Sequence, residues 1–144
     1  MSHTERLVLT RHVAASTTRV FDAWIDPIQL RQWWGPRGVE CFVADIDLRV
    51  GGTFRLGNRL PDDTVVWITG TYERIDRPTL LRFTWATDGE ELANPSLVTV
   101  RFVERNGGTD VTISHERVPE TRMQDHESGW TGCLVRLVDL LSPN

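Results

Sequence analysis

From residue 38 to residue 117 apolar side chains recur at every second position, the spacing of strands that bury one face and wet the other. Phe42, Ala44, Ile46, Leu48 and Val50 alternate with Cys41, Val43, Asp45, Asp47 and Arg49. Gly51-Gly52 predicts a tight turn into a strand over 53–60, with Phe54 and Leu56 on one face. Pro61-Asp62-Asp63 turns into a strand over 64–76, and Arg77-Pro78 into one over 80–86 that aligns Leu81, Phe83 and Trp85. A polar loop through Asn94-Pro95 leads to 97–104, where Val98, Val100 and Phe102 line up. Asn106-Gly107-Gly108 is a hairpin turn into 109–117, which carries Val111, Ile113 and His115 on one face. Connections this short join antiparallel neighbours, because parallel pairing needs long crossovers.

The flanks read differently. Residues 5–13 alternate as a further strand, with Leu7, Leu9 and Arg11 opposite Val8. Ser16 is placed to cap a helix bearing Val20, Phe21 and Trp24, and Asp26-Pro27 to start a second, with Ile28, Leu30, Trp33 and Trp34 as its apolar side and Gly35-Pro36 as its stop. Trp33 and Trp34 are adjacent, so on a helix they point about 100° apart; one is expected in the core and the other at a mouth of the sheet. From Glu120 to Leu141, Met123, His126, Trp130, Cys133, Leu134, Leu137 and Leu141 form one helical stripe. Gly129 and Gly132 interrupt it, each costing about 1 kcal/mol against alanine, which points to a close approach or a space beside them. The layout is α+β: a curved antiparallel sheet of six or seven strands around a long C-terminal helix, with two short helices after the first strand. A sheet that curls about such a helix can leave a hollow.

Composition narrows the function. A chain of 144 residues is one domain's worth. A net charge of −4 argues against a nucleic-acid partner. All 16 basic residues are arginine, which removes Schiff-base, pyridoxal and P-loop lysine chemistry. Cys41 and Cys133 are too few for a disulfide framework or a thiolate metal site. No run approaches the roughly 20 apolar residues that span a bilayer. The opening MSHTERLVLT lacks a signal-peptide pattern, so a reduced cytoplasmic protein is expected. Asp62-Asp63 and Glu90-Glu91 read as solvated turn carboxylates. Six tryptophans and five phenylalanines beside one tyrosine are the unusual quantity, since large aromatics fill cores or line apolar pockets.

The ordered set Val20-Phe21-Asp22-Ala23-Trp24, Asp26-Pro27, Leu30, Trp33-Trp34-Gly35-Pro36, Asp47-Leu48-Arg49-Val50-Gly51-Gly52-Thr53-Phe54, Gly70-Thr71-Tyr72, Pro78, Leu81, Phe83-Thr84-Trp85, Gly108-Thr109, Ile113, His115-Glu116 and Gly129-Trp130 resembles the activator-of-heat-shock-ATPase homologue family of the START/polyketide-cyclase/birch-allergen superfamily. The resemblance spans nearly the whole chain. It implies a helix-grip fold and members that bind hydrophobic small molecules, act as cyclases or self-sacrificing resistance proteins, or touch chaperones in stress responses.

The expected site is an aromatic-lined cavity between sheet and C-terminal helix, walled by Trp34, Phe54, Leu56, Ile68, Trp85, His115, His126, Trp130 and Leu134. Apolar burial supplies about 25 cal/mol per Å², and His115 or His126 orients a guest by a hydrogen bond. No catalytic residue, metal site or cofactor is assigned; two histidines without a placed third ligand do not make a metal centre. The alternatives are a cyclase, dehydratase or hydrolase using a histidine as acid or base in the same pocket, or a chaperone-associated module. Dimerisation stays open.

Overall fold

Two side chains set where the first helices begin. Ser16 Oγ accepts from the Arg19 N–H at 3.2 Å and opens α1 (Thr17–Ile25). Asp26 Oδ1 accepts from the Ile28 N–H at 2.9 Å and, with Pro27 in the first turn, opens α2 (Pro27–Trp33). Both follow the capping chemistry read from the sequence. The computed structural model describes residues 4–87 and 90–142; of the N-terminal stretch read for a targeting signal, residues 1–3 lie outside them.

Seven strands form one antiparallel sheet: β1 (Thr4–Val13), β2 (Glu40–Ile46), β3 (Thr53–Arg59), β4 (Val65–Asp76), β5 (Leu80–Thr87), β6 (Ser96–Arg105) and β7 (Gly108–Pro119). Their order is β1-β7-β6-β5-β4-β3-β2, so every pair from β2 to β7 is a sequence neighbour and only β1 crosses to the far edge. A 3₁₀ turn (Glu120–Arg122) leads into α4 (Met123–Leu141), which buries His126, Trp130, Cys133, Leu134, Leu137 and Leu141 on the concave face of the sheet. The helix-grip layout expected from periodicity and from the family resemblance is the one observed. α1 seals one end through an edge-to-face contact of Phe21 with Phe102 at 5.3 Å.

Three local expectations change. The first inner strand ends at Ile46 rather than running to Val50, which is 63% exposed. Residues 47–52 instead fold back, with the Gly51 and Tyr72 amides donating to Tyr72 and Gly52 carbonyls at 2.8 and 2.9 Å. A register shift between Cys41 and Val43 breaks the alternation, so Cys41 is buried and Phe42 packs edge-to-face against Trp67 on the outer face at 5.8 Å. Trp67 therefore sits outside the sheet, under the Arg55 guanidinium at 3.9 Å. Finally, part of the polar loop before β6 is a short helix, α3 (Glu90–Ala93); the side chains of the acidic pair read there lie outside the described residues.

Candidate functional site

Five of the six tryptophans meet under α4. Trp33 closes α2, wholly buried, with its Nε1–H donating to the Ala23 carbonyl at 2.9 Å. At Trp34 the chain leaves the helix for an extended conformation (φ −69°, ψ 133°), which is how two adjacent indoles both come to be buried. Trp34, Trp85 and Trp130 form a triangle with ring centroids 5.2–5.6 Å apart. Trp24 joins them, 6.1 Å from Trp130 and 4.7 Å from Trp33.

A polar chain fixes two corners of that triangle. The Trp130 Nε1–H donates to His115 Nδ1 at 3.0 Å. That nitrogen is therefore the acceptor, so the neutral ring carries its proton on Nε2 and donates it to Ser96 Oγ at 2.6 Å. Ser96 in turn donates to the Trp85 carbonyl at 3.2 Å. The chain links α4, β7, β6 and β5. Burial, reinforced by the neighbouring His126, holds the His115 imidazolium form off, with a pKa of about 3. His126 lies 4.7 Å from His115 between ring centroids. Burial lowers it to about 4, helped by the Arg122 charge and opposed by Asp125. Burial also keeps both cysteines as neutral thiols, Cys41 at about 11 and Cys133 at about 12.

A cavity of about 260 Å³ opens between α4, the loop after α2 and strands β3–β5. Trp34, Trp85 and Trp130 form its aromatic wall, and Ile68, Val66, Val39 and Leu60 its aliphatic one. Gly129 lies on its helical side, and a Cβ there would meet nothing within 4 Å. On the other side of Trp34 a second hollow, bounded by Phe54, Leu56 and Phe83, measures only about 20 Å³, little more than one water.

The loop after α2 is held by three residues of α4, Gly132, Cys133 and Arg136. A Cβ on Gly132 would stand 2.5 Å from Pro36 Cβ, so the bare backbone is what lets the loop approach. Cys133 Sγ accepts from the Gly35 N–H at 3.2 Å. The Arg136 guanidinium donates to the carbonyls of Trp34, Gly35, Val39 and Gln32 at 2.8–3.2 Å. Charge-assisted bonds to four carbonyls need a planar fork. Arg136→Leu should lower stability by about 2–3 kcal/mol, and Arg136→Lys should recover less than half of it. Urea midpoints check both; a lysine variant as stable as the parent would show that the fork geometry is unimportant.

Of the nine residues expected at the site, Trp34, Ile68, Trp85, His126 and Trp130 line the cavity. Phe54 and Leu56 bound the small hollow instead. His115 and Leu134 are wholly buried behind the wall. Residues not foreseen include Asn58, Thr87, Pro36 and Val39. A usable signal existed for Asn58, which shares position parity with Phe54 and Leu56 on β3, and for Thr87, which shares that of Trp85 on β5. Among the described residues no group of three His, Cys, Asp or Glu side chains comes together, and no helix is long and apolar enough to cross a membrane.

A family model described as Activator of Hsp90 ATPase homolog 1-like protein matches residues 14–142. Among solved structures, the chain is similar to a Chromobacterium violaceum protein at 26% identity, covering 96% of this chain and 98% of that one with a TM-score of 0.89. A Mycobacterium smegmatis protein is also 26% identical, over 96% and 91% of the two chains, with a TM-score of 0.82. An AHSA1-like protein from Aeromonas hydrophila shares the fold, at 24% identity over 94% and 90% and a TM-score of 0.78. No curated protein sequence matches the chain.

Proposed function

The chain belongs to the Activator of Hsp90 ATPase homolog 1-like family, and from that premise we propose that it binds a small hydrophobic molecule in the cavity beneath α4, in the cytoplasm. The observation that carries this reading is the cavity itself, about 260 Å³ walled by three tryptophans and aliphatic side chains. Concave, mostly apolar sites with a few polar groups are where small molecules bind.

The histidines favour binding over turnover. His115 commits both ring nitrogens to Trp130 and Ser96, and a group held at about 4, like His126, is a weak base at neutral pH. The family's name supplies a second reading, contact with a chaperone during stress. Large apolar side chains exposed among the described residues include Val8, Ile28, Leu92, Val103 and Val135, one each on β1, α2, α3, β6 and α4, and a chaperone-binding face would need several hundred Å² of contiguous apolar surface.

Gly129 gives the test. Because a side chain there grows into open space, Gly129→Leu should fill the cavity and, by replacing a helical glycine, raise stability by up to about 1 kcal/mol. Equilibrium dialysis with naphthalene and 2-naphthol should show that the parent binds at least one of them and that Gly129→Leu loses at least tenfold. If neither probe binds the parent, or the leucine leaves binding intact, the reading is wrong. Native mass spectrometry of the purified protein would identify a co-purifying guest.

A further inference from the structure

The cavity of about 260 Å³ and the hollow of about 20 Å³ share one lining residue among those described, Trp34. The two spaces abut around it. On the sheet side, Leu56 of the small hollow and Ile68 of the cavity are paired directly across β3 and β4. On the helix side, Trp24 of the small hollow and Trp130 of the cavity stack with ring centroids 6.1 Å apart. The Trp34 indole is packed against both sets of walls. It lies 6.4 Å from Trp24, which bounds the hollow, and 5.4 and 5.6 Å from Trp130 and Trp85, which bound the cavity. The spaces are two parts of one gap between sheet and helices, interrupted by a single side chain.

The backbone that carries this ring is anchored without it. The Trp34 N–H donates to the Leu30 carbonyl at 2.9 Å, and the Trp34 carbonyl accepts from Arg136 at 3.1 Å. The indole therefore acts as a partition on a fixed post. Size gives the partition its meaning. A volume of about 260 Å³ exceeds the roughly 150 Å³ that admits benzene and falls short of the roughly 300 Å³ at which drug-sized sites begin. One or two fused rings fit in the outer part. A guest of four fused rings needs the blocked part as well, where Phe54, Leu81 and Phe83 offer further apolar wall.

Building on the small-molecule reading above, we infer that Trp34 is the specificity-determining residue of the site: its indole closes the inner end of the gap and limits the ligand class to apolar molecules of one or two rings.

The test sets two probe pairs against the full chain at pH 7 by equilibrium dialysis: naphthalene with pyrene, and 2-naphthol with pyrenol. The four-ring member of each pair has the larger apolar surface, so a site without a size limit binds it more tightly. The inference expects the parent to bind the two-ring member at least about tenfold tighter than the four-ring member. W34A should reverse that order by a similar factor, because the joined gap buries the extra rings. W34L, which leaves a smaller void, should move the ratio in the same direction and serves where the alanine variant fails to fold. L81A enlarges the small hollow while leaving Trp34 in place, and should keep the ratio within about twofold of the parent's. A parent that binds the four-ring probes at least as tightly as the two-ring ones overturns the partition and leaves the cavity reading standing. So do Trp34 variants that leave the ratio unchanged, or an L81A protein that reverses it. No binding of any probe by the parent overturns both.

Discussion

Taking this protein from pH 7 to pH 4 should remove on the order of 5 kcal/mol of stability, with about two-thirds of the loss complete by pH 5. The cause is the pair His115 and His126. In the unfolded chain both titrate near 6.5; in the fold burial holds them at about 3 and about 4. Above pH 6.5 both states are neutral and nothing is lost or gained. As the pH falls below 6.5 the unfolded chain takes up two protons that the folded chain refuses, so stability declines until the folded pKa values are reached. At 1.36 kcal/mol per pH unit each histidine accounts for roughly 3 kcal/mol by pH 4. The sum is trimmed because part of the His115 shift is the His126 charge itself and because His126 borders a cavity. Geometry explains why His115 resists: a proton on Nδ1 would face the Trp130 N–H, donor against donor. Urea midpoints at pH 7, 5.5, 5 and 4 check the expectation. Carboxylates titrate mostly below pH 5, so a flat profile between 7 and 5 would refute it.

The second large effect belongs to Gly70→Ala, expected to cost about 4 kcal/mol or more. Gly70 lies on the inner face of β4 between Ile68 and Tyr72. A Cβ there would stand 2.0 Å from the Thr84 carbonyl oxygen and 2.3 Å from Phe54 Cε2. The ring could swing aside. The carbonyl belongs to β5, and moving it means parting two paired strands. Replacing a glycine ordinarily gains about 0.4–1 kcal/mol by restricting the unfolded chain, but forcing a methyl into a strand backbone exceeds ordinary overpacking, which already costs about 1–3 kcal/mol. The clash decides the sign. A Gly70→Ala protein with an unchanged or higher urea midpoint would mean that β4 and β5 can separate freely at this point.

Both effects depend on features that the sequence displays unevenly. The strands and the stripe of α4 were legible because position parity and helical spacing are local properties. Leu81, Phe83 and Trp85, or Val98, Val100 and Phe102, announce their face without reference to anything distant, and all six are buried. The early end of β2 was not legible, because the bulge between Cys41 and Val43 depends on pairing with β3, and it is this slip that sends Phe42 to the outer face beside Trp67. At the site, the apolar wall was half readable: Trp85 follows from strand parity and Trp130 from helical spacing, but the loop that carries Trp34 and Val39 has no period and owes its position to Arg136, about a hundred residues away. The polar members were missed for a different reason. Asn58 and Ser96 occupy inward positions by the same parity that marks Phe54 and Val98, yet a search for hydrophobic faces passes over them. Parity alone, applied regardless of polarity, finds both.

The placement of the indoles has an optical consequence. Trp24, Trp33, Trp34, Trp85 and Trp130 lie in one connected array with neighbouring rings 4.7–6.4 Å apart, close enough for excitation absorbed by one to migrate to the rest, whereas Trp67 is on the convex side of the sheet in contact with Phe42 and Arg55. The molecule thus contains an internal emission gauge and its own reference lamp: anything that enters beneath α4 changes the light from five fluorophores at once and leaves the sixth as the baseline.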